Sequence, residues 1–415
     1  MIEFAFRNSL GRSQLLKALP GEFVWEVLER HHVPPASVLV VRDHVPVPDS
    51  HRLKAESLYL ASLIEGYDID AVRRLYDVEE APPDAVYLKR RLSFDVGGRL
   101  HLEQAPLTMD GVVQLVDDTL HETVSRYGLI RPGSQVIVGL SGGVDSSALL
   151  VALASLRARR ADFDILAATF EDYDASRSGT FDHAQRLARQ YDVAHTVLPA
   201  NLAQKTFRMT LPLSGVLLSL METEDAHHTM YVDHHVTRRT LEVFGEREGG
   251  GAIALGLHAT DLLAGLLNAR AVGYSVDTLP KRTLPNAEYV FPLAFVHKRE
   301  LHLYYLAKTG RVADHTPPNQ WELDPQDRNY YYFLADRLQS SWPGLEVWFF
   351  SGHRHERAGQ PHLTYAVCAN CGGAVQKQGL SWRTGQVCDV CELLERHHLI
   401  DPQLSAVGVP PQENV

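Results

Sequence analysis

Cysteine is missing from this 415-residue chain until Cys368, and all four cysteines lie within its last fifth. The body of the chain therefore offers no disulfide, no thiolate nucleophile and no cysteine ligand for an iron–sulfur cluster. Long apolar runs are missing as well: none reaches 18 residues, so no membrane-spanning helix is expected. The opening MIEFAFRNSLGR lacks the charged-then-apolar pattern of a signal peptide, which makes the cytoplasm the expected compartment. An excess of positive charge is absent too. Lys and Arg number 40 against 51 Asp and Glu, and the net −11 argues against broad nonspecific nucleic-acid binding. A local basic face stays open, because phosphate affinity depends on where the cations sit. What is present is 45% hydrophobic and 22% charged residues, the balance of a soluble globular protein with room for two or three domains.

The stretch with the most chemistry is LSGGVDSSALL, residues 140–150. An apolar run over 136–140 (VIVGL) predicts a strand, and the small and apolar residues after the loop predict a helix. Ser141, Gly142 and Gly143 allow a tight turn whose N–H groups face one anion, and the helix start adds its positive end. Ser146 and Ser147 add hydroxyl donors, and Asp145 is suited to hold Mg²⁺ or a positioned water. The loop is neither the dinucleotide fingerprint nor the Walker loop, since no Lys-Ser/Thr closes it. It resembles the SGGxDS pyrophosphate loop of the PP-loop ATP pyrophosphatases, which split ATP to AMP and pyrophosphate and leave a substrate adenylated. The longer phrase VDDTLHETVSRYGLIRPGSQVIVGLSGGVDSSALL is similar to the entry of the tRNA thiolases that modify uridine with a ubiquitin-like sulfur donor.

Other segments fall into order around this loop. Residues 1–67 read as strands at 2–6, 13–19, 37–41 and 57–64 with a helix over 22–32, and resemble ubiquitin-like sulfur carriers of the β-grasp fold. The Gly-Gly end that a working carrier needs is replaced by Glu65-Gly66-Tyr67 in a continuing chain, so a docking or structural module is expected. Residues 68–108 form a connector with a hairpin around 95–98; Lys89-Arg90-Arg91 there is either a solvated strand edge or a phosphate contact. A helix over 111–127 opens the nucleotide domain, 109–345, and alternation of strands at 164–170 and 195–198 with a helix at 179–191 predicts a doubly wound parallel sheet. In the resembled family the end of the second strand, Phe170 here, supplies backbone contacts to adenine. A strand at 252–256 followed by Leu257-His258-Ala259-Thr260-Asp261 matches a landmark where the family has Gly-His-Asn and two acids. Only Asp261 keeps the acidic role, assisting Mg²⁺ and ATP or else merely capping a helix. Segment 289–300 matches the last core segment, with Phe291 where a basic residue is common.

Residues 231–239 (YVDHHVTRR) stand where cysteine-dependent members carry Cys-x-x-Cys before basic residues. By that register Tyr231 and His234 replace the two thiols while Arg238 and Arg239 keep the charge; the third falls near 316–319, again without a thiol. No iron–sulfur cluster is expected, and the family's usual thiolation is not expected from this polypeptide alone. His227, His228, His234, His235, Asp225 and Asp233 crowd together, either as a Zn²⁺, Fe²⁺ or Mn²⁺ site or as a polar helix surface.

Cys368, Cys371, Cys388 and Cys391 form two C-x₂-C pairs 16 residues apart, the spacing of a structural zinc ribbon with a hairpin between the pairs. The same thiolase family carries such a ribbon at its C-terminal end. The expected ribbon region is 346–400, with a flexible tail over 401–415. ATP, Mg²⁺ and structural Zn²⁺ are the expected cofactors. The resemblance admits tRNA or a small molecule as acceptor, a ubiquitin-like or thiol-bearing protein partner, and a homodimer. Three functions stay open: adenylation linked to tRNA modification, adenylation followed by amine transfer, and a non-catalytic nucleotide-, RNA- or partner-binding protein.

Overall fold

The computed structural model describes residues 2–7, 13–31, 33, 35, 38–63, 82–94, 100–171, 178–272, 276–311, 328–359, 363, 365–376 and 387–401. The segment around Gly66, the 95–98 turn, residues 172–174 and 316–319, and the 403–415 end lie outside them. Two compact units divide the chain: Met1–Ala81 with Ser93–Leu102, and Pro82–Leu92 with Glu103–Val415.

In the first unit, β1 (Glu3–Arg7), β2 (Ser13–Leu16), α1 (Val24–Arg30), β3 (Val38–Arg42), β4 (Val45–Val47) and β5 (Leu58–Leu63) build one sheet and one helix. The strand order is β2-β1-β5-β3-β4, with β1 and β5 parallel at the centre and hairpins on both sides. Alternation puts Phe4, Phe6, Leu16, Val40, Tyr59 and Ala61 inward, against Val24, Val27 and Leu28 of the helix. Strand β4 was not expected. Its three residues contain a proline, and only the turn before it betrays a hairpin: Asp43 and His44 both have positive φ, 47° and 69°, as a two-residue primed turn requires.

Next in the chain comes a two-stranded sheet of β6 (Tyr87–Phe94) and β7 (Leu100–Leu107), of which Ser93–Leu102 is counted with the first unit. Helix α2 (Met109–Arg126) starts at Thr108, whose side chain accepts from the Gly111 N–H. Then follow β8 (Gln135–Gly139), α3 (Val144–Arg160), β9 (Asp164–Phe170), α4 (Ser178–Gln190) and β10 (Ala194–Leu198). Helices α5 (Ala200–Phe207), α6 (Leu213–Met221) and α7 (Thr229–Arg247) lead to β11 (Ala252–Ala254) and α8 (Ala259–Val272). Strands β12 (Lys281–Thr283) and β13 (Glu288–Val290) precede α9 (Lys298–Thr309), α10 (Arg328–Ser341) and α11 (Leu345–Ala358). A last hairpin, β14 (Tyr365–Val367) with β15 (Ala374–Gln376), and α12 (Asp389–Arg396) complete the unit.

The main sheet has the order β10-β9-β8-β11-β13-β12, parallel except for the edge strand β12. Winding from β8 runs outward through β9 to β10, then returns to the other side of β8 at β11. The carboxyl ends of β8 and β11 therefore flank the switch point, where open α/β sheets bind ligands. Strand β8 is apolar on both faces for the same reason: Val136, Val138 and Leu140 pack with α2 and α3, and Ile137 packs with the opposite core. That second core also takes in Cys368, Cys371, Cys388 and Cys391, so the cysteine tail is part of the domain's packing.

Candidate functional site

The loop after β8 turns where Gly142 takes φ +81°, a conformation other side chains rarely adopt. Gly143 caps α3 in extended geometry. Ser146 Oγ accepts the Ser141 N–H at 3.2 Å, donates to the Gly143 carbonyl at 3.2 Å and lies 3.0 Å from Ser141 Oγ. The Gly143 N–H donates to Ser141 Oγ at 3.3 Å. The two serines thus hold the loop closed. Ser147 Oγ is buried with no hydrogen-bond partner among the described residues. The first turn of a helix leaves N–H groups without intrahelical acceptors, so the loop and α3 present donors and a positive end to an anion.

Asp145, in that first turn, meets His258 and Asp261 from the β11–α8 connection; their ligand atoms all lie within 4.8 Å of one another. Asp145 Oδ1 and His258 Nδ1 are buried with no hydrogen-bond partner among the described residues. Asp261 Oδ2 accepts the His258 N–H at 3.1 Å and sits 3.5 Å from His258 Nε2. Asp261 therefore both caps α8 and faces the loop. Burial holds the Asp145 carboxyl above the usual carboxylate range; His258 opposes this and the Asp261 charge adds to it. Burial also lowers His258 to about 4, so it is neutral near pH 7 and able to offer a lone pair.

Two residues that the sequence did not point to complete the surroundings. Lys298 and His302, one turn apart at the start of α9, both act electrostatically on Asp145. Their only sequence signal was i, i+4 spacing after the Pro292-Leu293 landmark. Gly256 is the closest contact between the two halves: a Cβ there would stand 2.8 Å from the Asp145 carbonyl carbon and the Ser146 nitrogen. Behind Asp261, Thr260 Oγ1 donates to Gln339 at 2.7 Å, Gln339 donates to Glu346 at 3.3 Å, and Glu346 pairs with His297 at 2.9 Å. This buried chain braces α8 against α9, α10 and α11.

Phe170 ends β9 at the same sheet edge, with its side chain in the core, so only its backbone is placed for a ligand. Beside it Thr169 Oγ1 donates to the Leu140 carbonyl at 2.7 Å and lies 2.8 Å from His195 Nε2, tying β8, β9 and β10 together below the loop.

The four cysteine sulfurs also lie within 4.8 Å of one another, all buried. Cys371 and Cys388 Sγ are 3.8 Å apart. N–H groups of Cys388 and Gly373 point at Cys368 and Cys371 sulfurs at 3.3 and 3.4 Å, as knuckles do. Hydrogen bonding from Cys368 and Cys388 draws Cys371 down, while bonds to the same neighbours push Cys391 up. All four can be thiolates together only around a cation. Among the described residues a hairpin encloses the first pair, β14–Cys368–Cys371–β15, and the second pair begins α12; residues 377–386, where the hairpin between the pairs was expected, lie outside the described residues.

The histidine-rich segment does not converge as a whole. Asp225, His227 and His228 group together, but Asp225 is already held by His397 at 2.8 Å and Arg396 at 3.1 Å. His235 turns instead toward Cys388 Sγ, 3.6 Å away. Tyr231 stacks loosely on His235, and Arg239 donates to the Cys371 carbonyl at 2.9 Å and to Glu242 at 2.9 Å.

The parallel sheet with its switch point, the SGGVDSS loop and the facing acids are the features of a PP-loop fold, and comparison with known proteins gives a likeness to the same fold. No family model matches the chain. The tRNA-cytidine(32) 2-sulfurtransferase of Shewanella baltica is 27% identical over 187 residues, 44% of this chain and 55% of that protein. Its counterpart in Neisseria gonorrhoeae is 27% identical over 198 residues, covering 44% and 54%. The chain thus spans about half the length of the curated relatives it matches. Among solved structures, the U34-tRNA thiolase NcsA of Methanococcus maripaludis, determined with its 4Fe–4S cluster, aligns with a TM-score of 0.54 at 14% identity. That alignment covers 75% of this chain and 93% of that one. The chain has the fold of the PP-loop ATP pyrophosphatase superfamily and resembles its tRNA thiolases. Among the described residues no helix is long and apolar enough to cross a membrane.

Proposed function

We propose that the second unit binds ATP with its pyrophosphate on Ser141, Gly142, Gly143, Ser146 and Ser147 and adenylates an acceptor, releasing pyrophosphate. The acceptor we favour is a tRNA nucleoside, by likeness to the sulfurtransferases of Shewanella and Neisseria. The observation that carries the proposal is Asp145. It is a largely buried carboxylate with an unpartnered oxygen, at a helix start, facing His258 and Asp261 across the switch point. A buried charge without a partner costs several kcal/mol unless a cation completes it.

Asp145 and Asp261 are the pair suited to Mg²⁺, with His258 as a neutral third donor; the ion would neutralise phosphate charge as it develops. Gly142 lets the loop turn, and Gly256 lets the end of β11 come close to Asp145 and Ser146. Lys298 is placed to balance charge on the same side. An acceptor oxygen attacks the α-phosphorus, the α–β bridging bond breaks, and pyrophosphate leaves. No protein nucleophile is required, so the contribution is positioning and charge stabilisation. A second nucleophile, sulfur or amine, then displaces AMP. Because the chain has no cysteine outside its buried cluster, that nucleophile comes from a partner or from solution.

Two structural assignments accompany the proposal. The four thiols hold one Zn²⁺: sulfurs about 2.3 Å from a tetrahedral ion stand about 3.8 Å apart, the separation of Cys371 and Cys388. The first unit is a β-grasp domain, supported by the order β2-β1-β5-β3-β4 with a helix between the first hairpin and β3. We assign residues 109–345 to the nucleotide domain and 346–400 to the ribbon region.

The test is pyrophosphate and AMP release from ATP with a tRNA pool or small-molecule acceptors. Wild-type turnover should fall by about 100-fold or more in Asp145→Ala. No AMP from the wild type with any acceptor refutes adenylation and leaves a non-catalytic binding protein.

A further inference from the structure

A cavity of about 190 Å³ lies among α7, β12, β13 and the β14–β15 hairpin, and nothing in the adenylation chemistry uses it. Three guanidiniums line it, Arg238, Arg239 and Arg282, against two carboxylates, Glu242 and Asp389. One ion pair is internally satisfied. Arg239 Nη1 donates to Glu242 at 2.9 Å and to Glu246 at 3.1 Å, and the second Glu242 oxygen accepts from Tyr289 at 2.7 Å. Arg282 is half-buried: its Nε is buried with no acceptor among the described residues, and its guanidinium lies beside the Tyr365 hydroxyl, to which it can donate. A buried N–H without an acceptor is costly, and a planar fork of donors matches the paired oxygens of a phosphate or a carboxylate.

One end of the cavity lies toward the carboxyl edge of the main sheet, while Arg282 pairs with Tyr289, level with the middle of β11 and β8. Along α7, Gly245 packs on Ile137 in the middle of β8, while Leu241 packs on Gly139 at the end of that strand. Tyr231, His235 and Arg238, further toward the helix start, therefore overhang the carboxyl edge of the sheet, the edge that carries the Ser141–Ser147 loop. Tyr231 is 47% exposed at the rim, an aromatic surface on which a nucleobase can stack.

We propose that this cavity binds a phosphate group of an RNA strand, with Arg282 as the principal contact and Tyr231 beneath a neighbouring base. The proposal rests on RNA being the acceptor. It gives an acidic chain a local phosphate grip.

The experiment uses the full chain, zinc-loaded, with fluorescein-labelled total tRNA as probe and anisotropy as readout, over a range of salt. Arg282→Gln should weaken binding about tenfold or more and lower the slope of log K against log salt by about 0.9. Arg282→Lys should recover the slope but not the full affinity. Tyr231→Ala should weaken binding with the slope unchanged. Lys281→Gln, one residue away but paired with Glu288 at 2.7 Å, should bind as wild type. Millimolar inorganic phosphate should compete in the wild type and not in Arg282→Gln. Unchanged affinity and slope in a folded Arg282→Gln overturns the site. Phosphate binding that depends on Arg282 while tRNA binding does not overturns the RNA assignment. If Arg282→Gln fails to fold, the Lys and Tyr231 variants decide on the same criteria. Failure of adenylation is separable: ATP turnover is then absent while tRNA binding still depends on Arg282.

Discussion

Gly256→Ala is the sharpest probe of how the two halves of the site meet. The added Cβ would lie 2.8 Å from the Asp145 carbonyl carbon, 2.8 Å from the Ser146 nitrogen and 2.9 Å from the Asp145 oxygen. All three are backbone atoms, so no side chain can rotate away. Ordinary contact begins at 3.4 Å, so the end of β11 and the start of α3 must separate by roughly 0.6 Å. Both sides resist: β11 is hydrogen-bonded to β8 and β13, and α3 is packed with Leu149, Leu150 and Leu153 fully buried. Overpacking of this kind costs about 1–3 kcal/mol, a fall in Tm of roughly 1–2 °C per kcal/mol for a unit of this size. The same displacement moves Asp145 relative to Asp261, and misplacement of up to about 1 Å costs as much as 100-fold in rate. Expected, then, are turnover reduced about 10- to 100-fold by a pyrophosphate-release assay and a lower Tm by calorimetry. Gly265→Ala is the control. It sits within α8 with nothing inside 4 Å of its built Cβ, and it should gain about 0.5–1 kcal/mol with turnover unchanged. A Gly256→Ala protein with wild-type Tm and wild-type turnover would refute the close approach.

Two further outcomes follow from the buried groups. Cys388→Ser should drop metal content below one zinc per chain by elemental analysis and lower Tm sharply, since the cluster is packed into the same core as Phe207 and Leu394; anaerobic reconstitution with iron and sulfide that yields a stable visible chromophore would contradict the single-ion assignment. Stability should also fall on acidification. His258 has a folded value of about 4 against an ordinary 6.5, so below 6.5 the unfolded chain binds the proton first. The contribution is complete above 6.5 and is lost as pH falls toward 4, about 3 kcal/mol in all. His258→Asn should flatten that part of the pH dependence in metal-free denaturant titrations, and an unchanged profile would show that His258 is not the group.

What the sequence revealed was local, and what it hid was assembled from distant pieces. The loop at 141–147 was legible because strand, turn and helix start are contiguous, and each residue type has one conformational reason to be there. The parallel sheet was legible from alternating strands and helices. Its order was not: that β11 slots beside β8 depends on contacts more than a hundred residues apart. The same distance concealed the role of Gly256, which looks like an ordinary strand-end glycine until Asp145 is placed against it. Lys298 and His302 were hidden because helical spacing of two basic residues is usually a solvated face. The segment 231–239, which offered either metal ligands or a polar helix surface, is the first half of a long helix. Its histidines diverge because adjacent residues on a helix point about 100° apart.

The two cysteine facts bear on each other. Every thiol in the chain lies in one buried four-sulfur cluster, and that cluster is fastened to α7 through Arg239 and to α5 through Asn370, which donates to the Phe207 carbonyl at 2.9 Å. Both bonds use the knuckle around Cys371, its backbone carbonyl and the Asn370 amide, so the packing of the cluster and of these two helices is linked. The same helix that the cluster fastens carries Tyr231, Arg238 and Arg239 toward the sheet edge where the ATP loop lies. On the proposed reading the cysteines serve structure, and the segment at 231–239 offers aromatic and guanidinium groups for holding a substrate. If ATP is split here, the adenylated group should accumulate when no outside nucleophile is added and be discharged when sulfide or an amine is supplied. Discharge by the purified chain alone, with neither present, would place the second nucleophile within these 415 residues and overturn that division of labour.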